Sequence, residues 1–157
     1  MRIAVLVVTA LVFQVTLGWP GAPWWLASIL LPMVFVVGPP LLQTERRWPH
    51  AAIAIGLAWD LVLEEVVGPG AIAWSATAVL LGALVPLVAD RSPRAWFAFG
   101  GIGAVLMNVA RAAARMPLGL SADLTWRSLA VSVLLTALWC GLVGWVLTLD
   151  LPQRLRA

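Results

Sequence analysis

Six long apolar runs, separated by short stretches of Pro, Gly or charge, make up most of the chain. They cover residues 3–19, 24–42, 51–67, 70–89, 95–114 and 129–149. Each is close to the roughly 20 apolar residues that carry an α-helix across a bilayer. A backbone in hydrocarbon must satisfy its own N–H and C=O groups, which leaves helices or closed barrels. The alternating ten-residue strands of a barrel do not occur here. The pattern therefore predicts an all-α integral membrane protein of six transmembrane helices, forming one domain over residues 1–157. The first run follows Arg2 as a signal sequence would, but no A-x-A-like site ends it, and the second run begins directly after Trp19-Pro20-Gly21-Ala22-Pro23. A retained span is expected. Pro32 and Pro86 predict kinks in the second and fourth spans. The pairs Ala52 with Gly56, Ala78 with Gly82, and Gly141 with Gly144 have the small-residue spacing that lets helices approach closely.

Composition strengthens this picture. Apolar residues are 62% and charged residues 11% of the chain, against about a quarter charged in a soluble domain. Mean hydropathy is +0.99. All ten basic residues are Arg, giving a net charge of +3 that reflects scarce acids and not a nucleic-acid-binding surface. The lone Cys140 lies in an apolar run, so neither a disulfide framework nor a thiolate metal site is expected. With the N-terminus inside, Arg2, Arg46, Arg47, Arg91, Arg94, Arg154 and Arg156 fall on the cytoplasmic side, and Arg111, Arg115 and Arg127 on the outer side. That bias predicts both termini in the cytoplasm. In the same frame Trp19, Trp24, Trp25, Trp74 and Trp126 mark the outer interface and Trp48, Trp96 and Trp145 the inner one, leaving Trp59 and Trp139 for packing. The tail, with Arg154 and Arg156, is expected to meet anionic lipid.

The residues that lipid tolerates least are the candidate site. An acid or Arg near a helix centre costs about 2.5–3.5 kcal/mol on insertion scales. Asp60 and Glu64 lie four apart on one face of the third span, while Asn108, Arg111 and Arg115 lie on the fifth. A helical rise of about 1.5 Å per residue puts Asp60 near mid-depth and Glu64 level with Asn108 and Arg111. The third and fifth spans are therefore expected to pack, with Glu64 or Asp60 meeting Arg111 and Asn108 bridging to a backbone carbonyl or to Asp60. Such a cluster could staple the fold, serve a partner's face or hold a ligand. Catalytic constellations are absent from the sequence: no H-E-x-x-H, G-x-S-x-G or phosphate-cradling loop occurs. Gly100-Gly101-x-Gly103 sits in an apolar helix, where packing explains it better than a nucleotide. His50 is expected in a solvated loop. No enzyme activity and no cofactor are expected. Residues 116–128 form the longest outer connection and suit a short capped interfacial turn.

Taken in order, these features resemble the rod-shape-determining membrane protein MreD family of the bacterial cell-wall elongation machinery. The likeness runs over nearly the whole chain: six spans, Pro23-Trp24-Trp25-Leu26 opening the second, Gly56-Leu57-Ala58-Trp59-Asp60-Leu61 in the third, and Gly68-Pro69-Gly70 turning into a small-residue-rich fourth. The chain departs from the family pattern after Asp60, where Glu64-Glu65-Val66-Val67 replaces a short Ser/Gly-containing turn. The resemblance implies a fold similar to the substrate-binding subunits of energy-coupling-factor transporters and a place in the bacterial cytoplasmic membrane. It also implies a non-enzymatic scaffold, partnered by MreC, RodA and its transpeptidase partner, and indirectly by MreB. The alternative is a substrate-binding subunit of such a transporter. That reading asks for small residues four apart on the first helix, a spacing that Ala4 and Ala10 do not have.

Overall fold

A computed structural model of the chain describes residues 12–14, 23–42, 48–63, 67–87, 92–120 and 125–154. Every regular element among them is helical: α1 (Trp24–Ala27), α2 (Val34–Leu42), α3 (Trp48–Leu63), α4 (Pro69–Leu84), α5 (Pro93–Arg115) and α6 (Trp126–Arg154). Tight 3-10 turns lie at Leu31–Met33, Val85–Leu87 and Met116–Leu118. The segments Pro93–Leu118 and Trp126–Leu147, of 26 and 22 residues, are long and apolar enough to cross a membrane. At about 1.5 Å per residue each exceeds a hydrocarbon core of roughly 30 Å. The apolar helices Leu31–Leu41, Ala52–Leu61 and Pro69–Leu84 are shorter. Most of the first span and both termini fall outside the described residues.

The helices form a layered bundle. α5 and α6 share the most extensive contact, and α4 packs against α3 on one side and α5 on the other. α2 touches α3, α4, α5 and α6. It is apolar throughout, as a helix in the middle of a bundle must be, and Val36 and Val37 near its start, with Met33 in the turn before it, are fully buried. Small residues set how closely the helices approach. A Cβ added at Gly100 would lie 2.6 Å from that of Cys140, and one at Gly103 would lie 2.8 Å from the sulfur of Met33. The glycine run of α5 is therefore a packing surface toward α6 and the turn that leads into α2. Gly144 of α6 likewise receives the Trp96 ring.

Three expectations are corrected here. The second span is broken, not kinked: Ser28, Ile29 and Leu30 are non-helical between α1 and the turn at Leu31–Met33. Pro32 supplies no N–H, so the α-helical ladder cannot run through it unbroken. Trp74 and Trp96 are fully buried inside the bundle and do not face lipid, as residues of an aromatic belt would. Trp96 fills space left by Gly38 and Gly144, and Trp74 tilts against Trp59 with ring centroids 5.9 Å apart. His50 belongs to the first turn of α3, not to a loop. Trp24, Trp126 and Trp145 are exposed, which suits an interface.

Candidate functional site

Asp60 stands in the last turn of α3 and is fully buried. Both of its carboxylate oxygens accept hydrogen bonds from the backbone that follows: Oδ2 from the N–H of Gly68 at 2.7 Å and of Ala71 at 3.1 Å, Oδ1 from the N–H of Gly70 at 2.8 Å. These donors are the orphan amides of the first turn of α4, which no intrahelical carbonyl can reach. Pro69 at the helix start has no N–H to satisfy, and the N–H of Ile72 is taken by the carbonyl of Gly68. Every amide of this helix start is thus accounted for without water. The carboxylate also faces the positive end of the α4 dipole.

The sequence around it is built to allow this. Gly68 has φ of +131°, a conformation open to glycine and strained for other residues. A Cβ at Gly70 would collide with Oδ1 of Asp60, so only glycine leaves room for the carboxylate. One turn before Asp60, a Cβ at Gly56 would come 2.5 Å from the Cα of Ala71. The backbones of α3 and α4 therefore touch there, and that brings the acid within reach of the turn. Gly56, Asp60, Gly68 and Gly70 form one device, a helical hairpin closed by its own carboxylate.

The second polar cluster lies where the second span breaks. The N–H of Leu30 donates to Oγ1 of Thr136 at 3.1 Å, and the N–H of Leu31 to Oε1 of Gln14, also at 3.1 Å. The carbonyl of Leu31 accepts from Nε1 of Trp139 at 3.2 Å. Non-helical backbone at membrane depth is tolerated only where protein or water satisfies it. Here Thr136 and Trp139 of α6, together with Gln14, do so. The same face of α6 carries Ser132, whose hydroxyl accepts from Nδ2 of Asn108 at 3.3 Å. Asn108 also donates to the carbonyl of Ala104 at 2.8 Å. Trp139 has the packing role expected of it, whereas Gln14, Ser132 and Thr136 are not among the residues the sequence singles out. The signal available is the i, i+4 spacing of two hydroxyls in the apolar run 129–147, opposite a span interrupted by Ser28 and Pro32.

Of the five predicted residues, Asp60 and Asn108 are held by different partners in different parts of the bundle. Asp60 belongs to the hairpin turn, and Asn108 to the contact between α5 and α6. The expected packing of the third and fifth spans is corrected: α4 stands between α3 and α5, which among the described residues meet at most marginally. The expected meeting of Asp60 with Arg111 or Asn108 fails with it, because the Asp60 oxygens are taken by the turn. Arg111 and Arg115 lie half-buried one turn apart on α5. Glu64, and with it a pairing to Arg111, lies outside the described residues. At the connection between α5 and α6, Thr125 caps α6, its Oγ1 accepting from the N–H of Ser128 at 3.2 Å. Among the described residues no cluster of His, Cys, Asp and Glu could hold a metal ion. No family model, curated protein or solved structure matches the chain.

Proposed function

We propose that this chain is a non-enzymatic scaffold of the bacterial cell-wall elongation machinery, of the MreD type, seated in the cytoplasmic membrane and presenting its outward helix faces to MreC-like and synthase partners. The observation that carries the reading is where the polar groups are used. Asp60, Asn108, Gln14 and Thr136 all bind groups of the bundle itself. Outward positions are apolar instead: Leu134, Leu138, Leu142 and Trp145 form an exposed stripe along α6. A rigid interior with apolar outer faces suits helix-to-helix docking in lipid, and the family resemblance supplies the identity of the partners.

The transporter-subunit alternative draws on the broken second span, since transporters place ligands against unwound backbone. Against it, the amides of Leu30 and Leu31 are already held by Thr136 and Gln14. The test is mass spectrometry of proteins that copurify with a tagged copy extracted in mild detergent from its native membrane. Recovery of a bitopic MreC-like protein with a glycosyltransferase and transpeptidase pair is the expected result. Recovery of paired ATPases with a small bound ligand would overturn it.

A further inference from the structure

Between the end of α4 and the first turns of α5 lies an open groove of about 410 Å³, lined by Leu84, Leu87, Arg94, Ala98, Phe99 and Ile102. Leu87 is 79% exposed, and Arg94 and Ala98 are exposed beside it. Arg94 makes no ion pair among the described residues, and it projects from the first turn of α5, where the helix dipole adds positive potential. From Arg94 to Ile102 the floor runs only eight residues, about 12 Å. That is far short of the 30 Å along which two spanning helices pack, and it fits part of a single acyl chain. We infer that this groove binds one anionic membrane phospholipid, its acyl chain along Leu84, Phe99 and Ile102 and its phosphate at Arg94. The inference goes beyond the scaffold reading and rests only on the chain spanning a membrane.

The groove separates the two contributions to binding. The apolar floor recognises the chain of any phospholipid, and Arg94 selects the headgroup. A basic residue near a membrane surface favours an anionic lipid by about fivefold. The test is native mass spectrometry of the full chain, stripped of loose lipid in mild detergent and titrated with phosphatidylglycerol or with phosphatidylcholine of identical chains. One retained phosphatidylglycerol is expected, preferred about fivefold. Ala98→Trp, which fills the groove from an exposed position, is expected to abolish retention of both lipids without lowering the thermal midpoint. Arg94→Gln is expected to erase the preference and leave phosphatidylcholine binding unchanged. Wild-type retention by a folded Ala98→Trp protein would overturn the inference, as would an unchanged preference in Arg94→Gln. A photoreactive group at position 98 that captures a protein helix in place of lipid in native membranes would overturn it as well.

Discussion

Three amides converge on the Asp60 carboxylate, and nothing else described is placed to satisfy them. Asp60→Ala would leave buried donors unpaired at a cost of about 1–3 kcal/mol for the first and less for those that water reaches, so a loss of about 3 kcal/mol is expected in unfolding followed by tryptophan fluorescence in detergent. Gly70→Ala should cost a similar amount, because its methyl occupies the place of Oδ1. The two changes strike one interaction, so the double variant should be scarcely less stable than the worse single. Full additivity would show that Gly70 matters for some other reason. Thr77 points the opposite way. Its buried hydroxyl has no hydrogen-bond partner among the described residues, and Thr77→Val keeps nearly the same volume, so a gain of up to about 1 kcal/mol is expected. A loss above that size would mean that the hydroxyl is satisfied in the membrane. Asp60 could be picked out from sequence because a carboxylate within an apolar run demands a reason. Its partner could not, because helical rise along an apolar run to residue 67 places Asp60 near mid-depth, whereas its carboxylate meets the turn at Gly68 and Gly70. The better clue was Gly68-Pro69-Gly70, a helix start whose orphan amides need an acceptor.

At the scale of elements, hydrophobic periodicity located α3, α4, α5 and α6 closely, since long apolar runs between Pro and Gly leave few alternatives in lipid. It does not reveal where the break after α1 falls, because Ser28-Ile29-Leu30 sits within a long apolar run and the groups that hold the break lie elsewhere in the chain, in Gln14, Thr136 and Trp139. A break held by side chains more than a hundred positions away is not legible in local sequence. It is testable at those side chains. Thr136→Val should destabilise the fold by about 1–2 kcal/mol, with hydrogen exchange rising at Leu30. Unchanged protection there would show that Thr136 does not hold the break. Helix spacing gives a companion test. Gly144→Leu would drive a side chain into Trp96, part α5 from α6 and lower the yield of folded protein, whereas Leu142→Ala at an exposed position of the same helix should leave the yield unchanged.

On the scale of the whole molecule, polar chemistry is turned inward and apolar surface outward. Exposed Ile72 and Val79 on α4, Val105 and Val109 on α5, and the stripe on α6 give the bundle several faces that lipid or another helix can cover. A scaffold of this kind should lose partners through changes on those faces, and should lose stability, but not partner preference, through changes at its internal hairpin. The most direct measurement compares wild type with Asp60→Asn, extracted in mild detergent from native membranes and loaded at equal amounts of folded protein, and reads the quantity of copurifying partner per copy. Asp60→Asn should melt earlier yet carry the same partners in the same ratio. A fall in that ratio with an unchanged melting midpoint would contradict the account and place Asp60 on a binding face.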